Sequence, residues 1–342
     1  MNGNQNYNFI VKVTLACPGN CACCTNRQNS FLNKKDTNQP FDIRVYEKIC
    51  KNIVKLNGSY VCISGGEPTI VPNIDEYIKI ANDYGLSVRI NTNGWGITEE
   101  KLNSWLDNGL DQVVLSVYSI EPEIMLLTRG NPEIYNRTMR AAEILKNARK
   151  SRKFMYIMQT IIMRNNYREI PDLLSFAIDN GCDRFWPSYL EDACNLPDIR
   201  MLPELVKEFR GDVIPKMQQV IQQKIVDKEK AKELIEVAEG YYDNPFDNYI
   251  YHAPNEHCKW SGSHFTFYPN GTVDPCPGHE YFSSPYQFHI DYDNIDEFMT
   301  LDSFKKWEGL AFDYCQYCPQ GKHREINLGA KGIHEHAGRN QL

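Results

Sequence analysis

Cys17, Cys21 and Cys24 stand in one short segment, TLACPGNCACCTN, directly after a run that reads as the first strand of the chain. The spacing Cys-x3-Cys-x2-Cys puts three thiolates on one compact loop. Thiolate suits iron–sulfur clusters, and a cubane has four irons. Three protein ligands leave the fourth iron open to a small molecule, whereas a closed cluster could only pass electrons. A zinc site or buried structural cysteines are the alternatives, although zinc motifs usually offer two separated pairs. Cys23 competes with Cys24 for the third position, and spacing does not choose between them.

The elements that must hold this loop repeat along the first 190 residues. Strands are expected at 9–15, 60–64, 86–92, 111–117, 154–163 and 182–188, with helices near 42–56, 73–84, 98–108, 133–149 and 167–180. Asn73 and Thr98 precede helical runs, and Gly58, Gly85, Gly109 and Gly181 sit where helices should end. Strand–helix repeats imply a parallel sheet with right-handed crossovers. Six units fall short of eight, so the fold class is α/β, an open partial (β/α)6 barrel with its site at the C-terminal strand ends. Residues 1–195 form this core. A helical bridge interrupted at Pro215 fills 196–250, and a small loop-rich C-terminal module with the tail fills 251–342. That module carries a hairpin, HFTFYPNGTVDPC, turning at Asn270-Gly271.

Here the sequence resembles the radical S-adenosylmethionine (SAM) superfamily, whose signature is a three-cysteine loop after the first strand of a partial barrel. The resemblance implies a [4Fe–4S] cluster on Cys17, Cys21 and Cys24 that cleaves SAM reductively. Ser64-Gly65-Gly66-Glu67-Pro68 is similar to the family's GGEP motif, which holds the methionine amino group. Paired glycines let carbonyls approach a cation, and Glu67 can rigidify or neutralise the site. Asn91-Thr92-Asn93-Gly94 resembles the family's TNG motif, so Thr92 and Asn93 are expected at the cofactor. Ser116 sits where the family often contacts the ribose or carboxylate, and Arg129 resembles an arginine that pairs with the SAM carboxylate. A plain turn, a strand-end serine and a surface arginine are the alternatives. The family often has an aromatic residue just before the third cysteine, where this chain has Cys23.

Cys258, Cys276, Cys315 and Cys318, with the hairpin between them, resemble the auxiliary module called SPASM or its shortened form, twitch. The resemblance implies that the hairpin brings Cys276 beside Cys258, that Cys315-x2-Cys318 closes the site, and that a second [4Fe–4S] cluster is held there. No cysteine follows Cys318, which prefers the one-cluster twitch form. A structural zinc on the same four thiolates is the alternative. Four of the twelve cysteines crowd 17–24 and four follow residue 257; Cys50, Cys62, Cys182 and Cys194 are scattered. Twelve in a reducing compartment suggest metal ligands rather than disulfides.

Composition bounds the rest. A net charge of −7 argues against general nucleic-acid binding, and the basic run from Arg137 to Lys153 reads as a solvated helix face. No apolar run is long enough to span a membrane and the N-terminus lacks signal-peptide features, so a cytoplasmic enzyme is expected. The expected activity is hydrogen-atom abstraction by a 5′-deoxyadenosyl radical, with the second cluster accepting an electron, so that a small biosynthetic intermediate is oxidised. An electron donor such as flavodoxin or ferredoxin is implied. The alternative is maturation of a ribosomal peptide, such as epimerisation with Cys194 as hydrogen donor. With the first strand beginning by Phe9, no leader-binding domain is evident, which favours a small molecule or a short peptide. Trp186, Tyr189, Glu191 and Asp192, with loops 118–131 and 186–202, are pocket candidates.

Overall fold

In the computed structural model, residues 7–28, 37–190, 198–225, 227, 262–276 and 288–309 are described. Six strands come first: β1 (Asn8–Thr14), β2 (Tyr60–Gly65), β3 (Ser87–Thr92), β4 (Leu110–Ser116), β5 (Met155–Ile162) and β6 (Arg184–Tyr189). Each pairs in parallel with the next. Between them run α1 (Thr25–Gln28), α2 (Ile43–Lys55), α3 (Ile74–Asp83), α4 (Glu99–Asp107), α5 (Pro122–Arg129), α6 (Glu133–Ala148) and α7 (Ile170–Asp179). All six strands lie within two residues of their expected bounds, and the architecture is the expected open β/α array.

Alternation along β1 shows how the sheet divides its two sides. Phe9, Val11 and Val13 are fully buried in the apolar core with side chains of α2 and α3, whereas Ile10 and Lys12 line a cavity on the other side. Successive side chains of a strand point to opposite faces, so one strand serves both. The core takes Tyr46, Ile49 and Ile53 from α2 and Tyr77, Ile78 and Ala81 from α3. Thr98 caps α4 by accepting from the Lys101 N–H at 3.2 Å.

Three expectations change. Loop 118–131 contains α5, which starts with Pro122 at its first turn and stops at Gly130 in the left-handed conformation (φ 65°). After α2 the left-handed residue is Asn57 (φ 59°), not Gly58. A Cβ on Gly58 would fall 2.5 Å from Ile53 Cγ2, so that glycine is there for room. The bridge is not broken at Pro215. Helix α8 (Pro203–Glu208) passes through a π-helical turn, Phe209–Val213, into α9 (Ile214–Lys224). The widened turn lets the Ile214 N–H reach the Phe209 carbonyl, and Pro215 lands in a first turn where its missing N–H costs little.

The C-terminal hairpin, β7 (His264–Phe267) and β8 (Thr272–Asp274), turns at Asn270-Gly271 as expected, with Gly271 at φ 83°. It joins the main sheet. β7 lies parallel to β1, from Asn8 opposite His264 to Val11 opposite Phe267. With β9 (Phe288–His289) the sheet has nine strands in the order β6-β5-β4-β3-β2-β1-β7-β8-β9. Two short helices, α10 (Ile295–Phe298) and α11 (Leu301–Lys305), follow. Phe304 of α11 stacks on Phe265 at 3.9 Å between centroids, and Phe265 stacks on Phe9 at 6.1 Å. No described helix is long and apolar enough to cross a membrane.

Candidate functional site at the C-terminal ends of the strands

A cavity of about 560 Å³ opens where β1 to β6 end. Its wall takes Lys12 from β1, Ser64 and Gly65 from β2, Asn91 and Thr92 from β3, Ser116 from β4, Gln159 and Ile161 from β5, and Ser188 from β6. Cys17, Cys21, Cys23 and Cys24 are all on the wall, as are Gly66, Asn93 and Arg129.

The cysteine loop is held from three sides. Across β2, a Cβ on Gly65 would lie 2.1 Å from the Thr14 carbonyl oxygen, and one on Gly66 2.3 Å from that of Ala16. Only glycine allows the two backbones to meet this closely, and Gly65 also sits at φ 141°. The Gly66 and Glu67 N–H groups donate to the Thr14 and Ala16 carbonyls at 2.6 and 2.9 Å. From the α5 end, the Asn20 N–H donates to the Arg129 carbonyl at 2.7 Å and Asn131 Nδ2 to the Pro18 carbonyl at 2.8 Å. From within, Asn26 Nδ2 donates to the Gly65 carbonyl at 3.0 Å while its Oδ1 accepts from Lys12 Nζ at 2.7 Å.

The sulfurs meet a ring of donors. Cys17 Sγ accepts from the Gly19 N–H at 3.3 Å and from Asn93 Nδ2 at 3.7 Å. Cys21 Sγ accepts from Arg129 Nη1 at 3.6 Å. A Cβ on Gly19 would sit in ordinary contact with both sulfurs, at 3.4 and 3.5 Å, and 3.1 Å from Ile134 Cδ1. Cys23 is 8% exposed and belongs to the apolar core; burial pushes its thiol up to about 12. Cys24 is half-buried. Burial raises its thiol too, but the Arg27 and Asn26 N–H groups and Lys12 pull the other way. Cys23 too has Arg129 and Tyr118 pulling against burial, and burial pushes the Cys17 thiol up to about 12 as well.

The residues present fit a cubane. Three thiols converge on one cavity wall, with N–H donors suited to an anionic sulfur cluster. Among the described residues no three His, Cys, Asp or Glu side chains are near enough to share one metal ion. A cubane does not ask that, because each thiolate binds its own iron.

Other expected residues divide into wall and frame. Ser116 ends β4 on the wall. Glu67 is fully buried and is not a wall residue. Its Oε1 accepts from Thr69 N, Thr69 Oγ1 and Thr92 Oγ1 at 3.1, 2.6 and 2.6 Å, and its Oε2 from the Asn93 N–H at 2.7 Å. The carboxylate therefore rigidifies the ends of β2 and β3 rather than meeting an ammonium. Burial raises its pKa, against the pull of those four donors. Thr92 does both, lining the wall while donating to Glu67 and accepting from Gly94 N at 2.9 Å. Arg129 is 5% exposed, so the surface reading fails. Cys276, on the hairpin's far end, is buried. Cys194, Cys258, Cys315, Cys318, Glu191 and Asp192 lie outside the described residues. Trp186 is 40% exposed and is not on the cavity wall.

Sequence reading missed Asn26, Tyr118, Asn131 and Thr138. Tyr118 sits under the Arg129 guanidinium, 3.6 Å from ring centroid to Cζ, and Thr138 Oγ1 donates to the Asn93 carbonyl at 2.7 Å. Asn26 and Asn131 flank motifs already noticed. Thr138 lies mid-helix in α6 and carries no local signal.

The sequence profile of the radical SAM superfamily matches residues 11–177. A PqqA peptide cyclase of Bradyrhizobium diazoefficiens is 21% identical over 342 aligned positions, covering 94% of this chain and 80% of the relative. Another, of Methylobacterium nodulans, is 28% identical over 233 positions, 60% of this chain and 56% of that one. Among solved structures, Streptococcus suis SuiB bound to precursor peptide SuiA superposes with a TM-score of 0.62 at 14% identity, covering 98% of this chain and 76% of that one. The structure of anSMEcpe with bound AdoMet gives 0.63 at 13%, covering 98% and 96%. These structural likenesses speak for the fold. The cysteine loop, the glycine pair and the polar ends of β2 to β5 all lie inside the matched segment, and residues 11–177 are a radical SAM domain.

Proposed function

We propose that this chain holds a [4Fe–4S] cluster on Cys17, Cys21 and Cys24, binds SAM beside it, and takes a hydrogen atom from a residue of a peptide. The observation that carries the reading is the meeting of those thiols with Gly65, Gly66, Asn91 and Ser116 around one cavity of about 560 Å³, a volume typical of small-molecule sites. When bound, the cluster and SAM together supply reductive cleavage to a 5′-deoxyadenosyl radical. The chain's own residues do the rest. Gly65 and Gly66 fix the cysteine loop against β2, Asn93 and the Gly19 N–H steady Cys17, and Ser116, Asn91 and Gln159 offer polar atoms along the wall. Ile161 and Leu190 add apolar surface that keeps water from a radical. The peptide is suggested by the relatives' names and by the precursor peptide bound to SuiB. A second [4Fe–4S] cluster on Cys258, Cys276, Cys315 and Cys318 would accept an electron, and flavodoxin or ferredoxin would supply the first one. Cys194 is the candidate hydrogen donor if the outcome is epimerisation.

The test is anaerobic reconstitution followed by dithionite and SAM. We expect 5′-deoxyadenosine to form, and C17A, C21A and C24A each to lose it along with iron, while C23A keeps both. No nucleoside from a protein loaded with iron and sulfide would sink the reading. Deuterium moving from a labelled peptide into 5′-deoxyadenosine would establish the substrate class; transfer only from a small intermediate would overturn the peptide and support oxidation of a small molecule.

A further inference from the structure

Arg129 is a buried cation with no acid paired to it among the described residues. Its guanidinium Nη2 donates to the Ser116 carbonyl at 2.5 Å and Nη1 to Cys21 Sγ at 3.6 Å, while its plane covers Tyr118. Its Nε is buried with no hydrogen-bond partner. Among the described residues no carboxylate forms an ion pair with it, although Arg149, Arg152 and Arg168 nearer the surface each have one. A desolvated charge is costly unless an opposite charge stands near. On this wall the group beside it that can take up negative charge is the Cys21 sulfur. The family resemblance assigned this arginine to the SAM carboxylate; the contacts give it a different partner.

We propose that Arg129, with Asn93 as a weaker second donor, is a positioning residue that raises the reduction potential of the cluster through the ligand sulfurs. A positive charge and an N–H on Cys21 Sγ, and an amide N–H on Cys17 Sγ, stabilise the more negative reduced cluster over the oxidised one. This makes acceptance of one electron from the external donor easier before SAM arrives. The inference rests on Cys17 and Cys21 being cluster ligands, as proposed above.

The experiment is an electron paramagnetic resonance titration of reconstituted holoprotein without SAM, in wild type, R129K, R129Q and N93A, with iron and sulfide measured on each. We expect R129Q to be at least tenfold harder to reduce at a fixed donor potential, a downward shift of about 59 mV per tenfold for one electron. R129K, which keeps the charge and loses the fork, should fall between, and N93A should shift less in the same direction. If the SAM-free potential of R129Q equals that of wild type at equal iron content while SAM binding weakens, Arg129 serves the cofactor instead and the proposal is overturned. Should R129Q fail to load iron, the question passes to an Arg27→Lys background, which leaves Arg129 as the arginine on the described cavity wall. There, ¹⁵N-arginine labelling should give a nitrogen coupling to the reduced cluster by pulsed resonance; no coupling also overturns the proposal. Should wild type hold no more iron than C17A, the ligand assignment fails instead.

Discussion

The carboxylate of Glu67 accepts four hydrogen bonds, three of them on Oε1, and Thr69 Oγ1 in turn accepts from the Gly96 N–H at 3.0 Å. One acid thus ties together the turns after β2 and β3. In E67Q the amide can present its oxygen where three donors converge, but its NH2 then faces the Asn93 N–H. We expect a cost of about 1–3 kcal/mol, that of one buried donor left unsatisfied, read from urea unfolding of the apoprotein. Because Asn93 also donates to Cys17, slower iron uptake should accompany it. Gly66 makes a sharper test. A methyl group there would meet two carbonyl oxygens at 2.3 and 2.4 Å, so G66A should displace the cysteine loop and abolish cluster loading. G85A, with φ 76° but open space around it, should cost only about 1–2 kcal/mol of stability and leave loading intact.

At the scale of elements, β7 is fastened to β1 by backbone pairing and by the rings of Phe9, Phe265 and Phe304. F265A removes a fully buried ring and should cost about 3–5 kcal/mol. Limited proteolysis of that variant should cut near 262–276 before it cuts the six-stranded array; cleavage starting in β2 to β5 would show that the hairpin is not the weaker attachment. The strands of that array were legible because each is a run of β-branched and apolar residues closed by a polar turn, from FIVKVTL to DQVVLSV. Helix α5 was not, since its buried positions are few and Leu126 and Leu127 face out. Pro122 at its first turn and Gly130 beyond its end were the available signals. The cysteine loop, GGEP and TNG segments could be read by type and spacing. The roles of Glu67 and Arg129 could not, because depth decides whether an acid or a cation meets the cofactor or braces the frame. The docking of the hairpin on β1 was equally hidden: it joins residues 256 positions apart, and no local pattern records such a partner.

Over the whole molecule, acid sensitivity should centre on His264. Burial holds its imidazole down to about 4 from an ordinary 6.5, and its Nδ1 lies 3.3 Å from Asn8 Nδ2 across the β1–β7 ladder. Between those values the unfolded chain binds a proton that the folded chain refuses. Stability contributed here is present above pH 6.5, falls as pH drops through the window, and is fully lost below about 4. H264Q should flatten that part of the curve, measured as Tm against pH from 7 to 4.5; parallel curves for the two proteins would reject it. The same ladder sets an order of events during synthesis. The strand that leads into the cysteine loop has β2 beside it early, but its other neighbour exists only once residue 267 has been made. Until then the Asn8–Val11 side of β1 is an open edge, and closing it spans most of the chain, the kind of distant pairing that slows folding. A nascent chain therefore carries its cysteine loop on a half-dressed strand, and a ribosome stalled near residue 190 should display a loop able to meet sulfide and iron before its supporting sheet is complete.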